Sequence, residues 1–449
     1  MFPDRRRLEE RLGREEKRFA DAHPRSRELF ERARGSWLAG VPMHWMVRWA
    51  GGFPVFVAEA SGAHFTDVDG LRYLDLCLGD TGAMTGHAPV EAVEAIAARA
   101  RRGATFMLPT EDAIAVGEEL SRRFGLPFWQ AALTATDANR FAIRLARHLT
   151  RRPKILVFNG CYHGTVDETF VTLVHGAARA RAGNIGPPVD PTETTRVVEF
   201  NDIPALENAL AHGDVACVLA EPALTNIGIV QPEPGFHGAL REATRRAGSL
   251  LILDETHTIS AGPGGMTRAL GLAPDMLTIG KPIAGGVPAA VYGVSADVAR
   301  RVEASIRVEE SDTGGIGGTL AGNALSFAAM RATLERVLTE DAYAHTIPLA
   351  RRFAEGVGGV IAEHRLPWHV TQLGCRAEYG FRASPPRDAS EAAGALDPAL
   401  DRYMHLAALN RGILMTPFHN MALICPATTA ADVDFHTRVF RESVEALAG

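Results

Sequence analysis

The chain holds 47 lysines and arginines, yet only Lys17, Lys154 and Lys281 are lysines; the other 44 are arginines. Wherever a plain positive charge serves, this protein uses guanidinium. An amine can lose its proton at accessible pH and attack a carbonyl carbon, whereas a guanidinium stays charged. Lys281 has the setting for that work, after an apolar run and before glycines in "MLTIGKPIAGGVPAAVYG". One helix-and-strand crossover upstream, "LILDETHT" reads as a buried strand ending at Asp254. Strand alternation predicts Asp254 and Thr256 on one face and Glu255 and His257 on the other. A buried carboxylate calls for a cation or donors. An amine for an aldehyde and an acid for a ring nitrogen are the two groups that a pyridine aldehyde cofactor requires.

The surrounding elements must bring these groups to one place. Residues 4–35 read as a charged, solvated or subunit-bridging helix, followed by an alternating stretch that turns as a hairpin at Asp69-Gly70. From about 90 to 330, amphipathic helices such as "APVEAVEAIAARARR", "TEDAIAVGEELSRRF" and "ANRFAIRLARHLT" are interleaved with short apolar runs. Those runs are "KILVFNG", "TRVVEF", "VACVLAEP", "SLLILDET", "DMLTIG" and "AAVYGVS". This is an α/β pattern, a largely parallel sheet covered on both faces, with ligands gathering at the carboxyl ends of its strands. Segment 171–195 is Gly/Pro-rich and aperiodic, which predicts a long loop, functional or disordered. The expected division is an N-terminal helix and hairpin segment (1–75), a large domain (76–330) and a smaller C-terminal α/β domain (331–449) with a loop at 384–399.

Composition narrows the functions. A net charge of −6 with 22% charged and 46% hydrophobic residues argues against nucleic acid as a partner. No apolar run reaches membrane-spanning length, and the charged N-terminus lacks a secretory core, so a cytoplasmic location is the expectation. Five scattered cysteines without ligand spacing predict reduced thiols and no metal site.

Taken in order, "DVDGLRYLDL", "GHAP", "TATDAN", "FNGCYHG", "AEPALTN", "DETHT", "IGKPIAGGVP" and "GGTLAGN" resemble the class III (fold type I) pyridoxal-phosphate aminotransferases, within them the glutamate-1-semialdehyde aminomutase-like branch. The resemblance runs from about Ser26 to the C-terminus. It implies a seven-stranded, mostly parallel sheet in the large domain. It also implies that Lys281 carries the cofactor as an imine and later moves the substrate proton, with Asp254 keeping the pyridine nitrogen protonated. Ala135 and Thr136 would meet the phosphate at a helix N-terminus, Ala135 standing where the family has glycine and Asp137 where it has glutamate. Tyr162 would stack on the ring, Thr256 lie beneath it in place of the usual valine, and Glu221 and Asn226 orient the ring hydroxyl and substrate. Thr319 would reach the phosphate of a neighbouring subunit, which implies a homodimer with shared sites. Arg48 matches a substrate-carboxylate arginine, with Trp45 beside it as pocket wall and His163 as a further substrate contact. His419 and Asn420 stand where some relatives place a carboxylate-binding arginine or an acid.

The implied activity is pyridoxal-phosphate-dependent transfer of an amino group between an amino acid or amine and a keto acid acceptor. The alternatives are an aminomutase that keeps the amino group on one molecule, or a non-catalytic interaction protein retaining the fold.

Overall fold

The computed structural model describes residues 4–307, 314–417 and 419–448. The six short runs and a strand not read from the sequence, Phe128–Ala132, pair into one sheet: β1 (Phe128–Ala132), β2 (Lys154–Phe158), β3 (Thr195–Val198), β4 (Val215–Ala220), β5 (Leu250–Asp254), β6 (Met276–Ile279) and β7 (Ala290–Val294). Their order is β1-β7-β6-β5-β4-β2-β3. The five strands from β6 to β3 are parallel, and β7 runs antiparallel between β6 and β1. Every residue of β4, β5 and β6 is buried, which is why these strands read as continuous apolar runs rather than alternating ones. Each such Leu, Ile or Val contributes roughly 1.5–3 kcal/mol by leaving water. The register sets Asp254, last in β5, opposite Thr278 in β6, so the carboxyl ends of two adjacent strands present Asp254 and the chain entering Lys281.

The chain divides into two units, residues 90–343 with 386–394, and residues 1–89 with 344–385 and 395–449. The first holds the seven-stranded sheet. In the second, Val57–Ser61, His64–Asp67 and Arg72–Asp75 form an antiparallel sheet, and Ile413–Leu414 joins it parallel to Arg72–Asp75. This division differs from the expected segments 1–75, 76–330 and 331–449: one sheet joins residues 57–75 to Ile413–Leu414, and the first unit runs on past 330 through the helix Ala324–Arg336.

Three further local readings change. The expected helix over 4–35 is two helices, Arg5–Ala22 and Pro24–Ala33, because Pro24 fits a first helical position and not an interior one. His23 at the break is buried between the Phe19 carbonyl (2.7 Å) and the Tyr73 hydroxyl (2.6 Å). The 171–195 loop contains a hairpin, Val171–Val174 with Ala177–Ala180, turning at His175 and Gly176, both with positive φ; that geometry matches the twist of paired strands. The 384–399 loop carries the short helix Ala389–Ala393.

The turn after β5 rests on a buried carboxylate. Glu255, wholly buried, accepts from the Thr258 hydroxyl (2.6 Å), the Met266 amide (3.1 Å) and the Thr267 amide. Gly265, at φ +62°, lies where any side chain would run into that carboxylate. Gly265→Ala is expected to lower stability by about 2 kcal/mol or more, read from the urea midpoint at unchanged slope.

Candidate active site

Asp254 is 3% exposed and sits at the end of β5. Its Oδ2 accepts from His163 Nδ1 (2.9 Å) and Asn139 Nδ2 (2.9 Å), and its Oδ1 from the Thr256 amide (3.0 Å). Asn139 is held in turn by the Thr278 hydroxyl on its Oδ1 (2.6 Å) and by donating to the His163 carbonyl (3.1 Å). Burial pushes the Asp254 carboxyl up, but the bond and charge of His163 with the Thr256 and Asn139 donors outweigh it and hold the group below the ordinary carboxylate range. Burial likewise opposes charge on His163, while the neighbouring Cys161 sulfur and the Asp254 carboxylate favour it, and the net direction is upward.

Lys281 follows β6 with a left-handed backbone, φ +50°, a conformation that costs a non-glycine residue of order 1–2 kcal/mol. Its Nζ meets His257 Nε2. His257 Nδ1 lies 2.7 Å from the Thr225 hydroxyl, which donates to the Glu221 carboxylate. Glu221 is 3% exposed, Thr225 2% and His257 8%. The predicted alternation through Glu255 and His257 therefore does not hold: the strand ends at Asp254, and the chain turns into the 3₁₀ segment Thr258–Ala261. That turn delivers His257 to the lysine.

The helix Ala135–Thr150 points its N-terminus at the same region. Thr134 caps it, accepting from the Asp137 amide (3.2 Å) and donating to the Asp137 carboxylate (2.8 Å). Asp137 is thus held by the capping hydroxyl, with its carboxylate at the positive end of the helix. The Ala135 backbone lies so near Gly280 that a side chain on Gly280 would touch it, which places the first helical amides beside Lys281. Thr136 accepts from the Thr165 amide (3.0 Å) and presses against Gly164, where a Cβ would collide with it. Tyr162 is half-buried just before His163, and Asn226 donates to the Gly160 carbonyl at the base of that loop (3.2 Å).

The remaining expectations fall elsewhere. His163, expected at the substrate, is completely buried behind Asp254, so it serves the carboxylate instead. Asn226 spends its amide on the loop backbone. Thr319 is exposed in a loop lining a cavity of about 480 Å³ with Trp129, Gln130 and Phe327. In the other unit, Trp45 is half-buried, and Arg48 lines a cavity of about 580 Å³ with Trp49, Asp401, Arg402 and His405. Burial pushes Asp401 up to about 6 and His405 down to about 4. Asn420 donates to Asp401 (2.8 Å), His419 lies 3.4 Å from Glu378, and Arg376, 1% exposed, donates to Thr81 (2.6 Å). Sequence reasoning passed over Asn139, Thr278, Thr225, His257 and Arg376. Asn139, Thr225 and His257 lie inside the marked stretches TATDAN, AEPALTN and DETHT, whereas Thr278 and Arg376 carried no such signal.

The donor set fits pyridoxal phosphate. A carboxylate kept ionised suits a pyridinium, an amine suits an aldehyde, and helix amides suit a phosphate. The Thr256 hydroxyl, buried beside Asp254, has no hydrogen-bond partner among the described residues. Sheet and site together define a fold type I pyridoxal-phosphate enzyme. The chain belongs to the class III aminotransferase family, whose model, "Aminotransferase class-III", matches residues 46–439. It is 35% identical over 436 residues to a glutamate-1-semialdehyde 2,1-aminomutase of Sorangium cellulosum, covering 95% of this chain and 98% of that one. A crystal structure of a glutamate-1-semialdehyde-aminomutase from Pseudomonas aeruginosa PAO1 is 52% identical with TM-score 0.97, covering 100% of both chains, and a variant of it in complex with PMP gives 0.98. An omega-transaminase from Sphaerobacter thermophilus is 28% identical with TM-score 0.86, covering 96% of this chain and 100% of that one. Among the described residues no helix is long and apolar enough to cross a membrane.

The Asp254–His163 pair makes stability depend on pH. The depressed carboxyl contributes above its ordinary value and loses that contribution as pH falls through the depressed one. The raised imidazole contributes fully below its ordinary value and loses it as pH rises through the raised one. His163→Phe should therefore destabilise the apoprotein most between about pH 4.5 and pH 6, with the gap narrowing toward alkaline pH. Urea denaturation at stepped pH checks this.

Proposed function

We propose that the protein is an amino-group-moving enzyme of the aminomutase type, taking the amine from one carbon and returning it to the adjacent carbon of the same carboxylate-bearing molecule. The observation that carries the chemistry is that Asp254 ends β5 while Lys281 follows β6, the strand paired beside it. The names of relatives that match this chain over nearly its full length support the aminomutase type. The aminotransferase reading with an external keto acid stands second, supported by the omega-transaminase likeness.

Pyridoxal phosphate, when bound, supplies an aldehyde that condenses with amines and a protonated ring that takes up the electrons left when the neighbouring C–H bond breaks. Asp254, ionised and immobile between His163 and Asn139, holds a proton on the nitrogen facing it. The amides of Ala135 and Thr136 bind the phosphate with the helix dipole behind them. Tyr162 would cover the ring face. Lys281 Nζ would hold the aldehyde and, when free, would take a proton from the substrate carbon and return it. Arg48 is proposed to bind the substrate carboxylate and Trp45 to wall its pocket. Thr319 is proposed to complete the phosphate site of a partner chain in a homodimer.

Lys281→Ala should lower turnover by at least about 10⁴-fold with folding intact, and Asp254→Ala by about 100-fold or more. Arg48→Ala should raise KM for a carboxylate substrate about tenfold with kcat little changed. Incubating the holoenzyme with glutamate-1-semialdehyde and no keto acid decides between the readings. Isomerisation of that single substrate supports the aminomutase type, and strict dependence on added keto acid replaces it with the aminotransferase.

A further inference from the structure

We infer that His257 is the proton partner of the Lys281 amine, held in the required tautomer by Thr225 and Glu221. This deepens the proposed function and rests on Lys281 being the reactive amine. The direction of the chain of hydrogen bonds follows from counting protons. The Thr225 hydroxyl has one, and it goes to the Glu221 carboxylate. Toward His257 Nδ1 at 2.7 Å the same oxygen must therefore accept, so Nδ1 carries the hydrogen. Nε2 is left with its lone pair, and that lone pair faces Lys281 Nζ. An ammonium at Lys281 donates into it. The logic is that of a nucleophile, a base and an orienting carboxylate, with a hydroxyl interposed.

The proton step balances without another reactant. One proton leaves Nζ for Nε2, the amine nitrogen keeps its electron pair for attack on carbon, and the imidazolium charge is compensated through Thr225 by Glu221. The reverse transfer reprotonates the amine. His257, in contact with a reacting atom, is a catalytic residue, while Thr225 and Glu221 are positioning residues. The elements that carry them come from separate strand ends: Glu221 and Thr225 follow β4, His257 follows β5 and Lys281 follows β6. Burial of the three partners keeps bulk water from substituting for the relay.

The test follows capture of the aldehyde rather than turnover. Apoprotein is mixed with pyridoxal phosphate, quenched with borohydride at intervals, and the labelled Lys281 peptide is counted. Pyridoxine phosphate, which has the phosphate and ring but no aldehyde, reports non-covalent binding. His257→Phe should slow capture about 100-fold and Thr225→Val about tenfold, with pyridoxine phosphate binding preserved, while Thr225→Ser should stay within about twofold of the native rate. Added imidazole should restore capture to His257→Gly. Native capture rates in both His257→Phe and Thr225→Val, or no rescue of His257→Gly, would overturn the relay and leave the reading of Lys281 intact. Absence of any label at Lys281 in the native protein would overturn both.

Discussion

An ionised carboxylate at 3% exposure is the constraint around which the site is organised. Taking such a group out of water costs several kcal/mol unless donors replace the lost solvent. Asp254 obtains them from three segments: Asn139 in the helix Ala135–Thr150, His163 in the loop after β2, and the Thr256 amide in the turn after β5. Satisfying one ion therefore fixes the relative positions of a helix, a loop and a strand end. The anion-binding helix terminus belongs to the same arrangement, because Asn139 sits one turn beyond Ala135 and Thr136.

Lys281 shows the complementary device. Its left-handed backbone is paid for by the packed sheet that ends immediately before it, with β6 fully buried and paired on both sides. Strain of this kind persists where neighbours over-determine the conformation, and it aims the side chain where a relaxed turn would not. The consequence is an amine directed at His257 rather than out of the strand end.

Several parts of this arrangement were legible in the chain. The apolar runs of β4, β5 and β6 announced buried parallel strands, and the scarcity of lysine singled out Lys281. The resemblance to the family placed Ala135 and Thr136 at a helix N-terminus. Other parts were not. Asn139 and Thr278 look like ordinary polar residues, and their role exists only because the fold brings Asn139 to both Asp254 and Thr278 from over a hundred residues away. His163 appeared available to a substrate until its burial showed that it supports the carboxylate. The period-two reading past Asp254 failed because a period applies only while the strand lasts, and Glu255 ends it by capturing the amides of Met266 and Thr267.

The amino-acid sequence by itself determined the reagents: which residue is an uncommon amine, which is a strand-end acid, and that an α/β sheet would carry them to one edge. Those properties are local, set by side-chain chemistry and by hydrophobic periodicity along the chain. Tertiary structure alone decided which groups touch. The proton state of Asp254 depends on His163, and the tautomer of His257 depends on a hydroxyl and a carboxylate that follow a different strand. Charge and hydrogen bonding act through space over a few ångströms, and only the folded chain sets those distances.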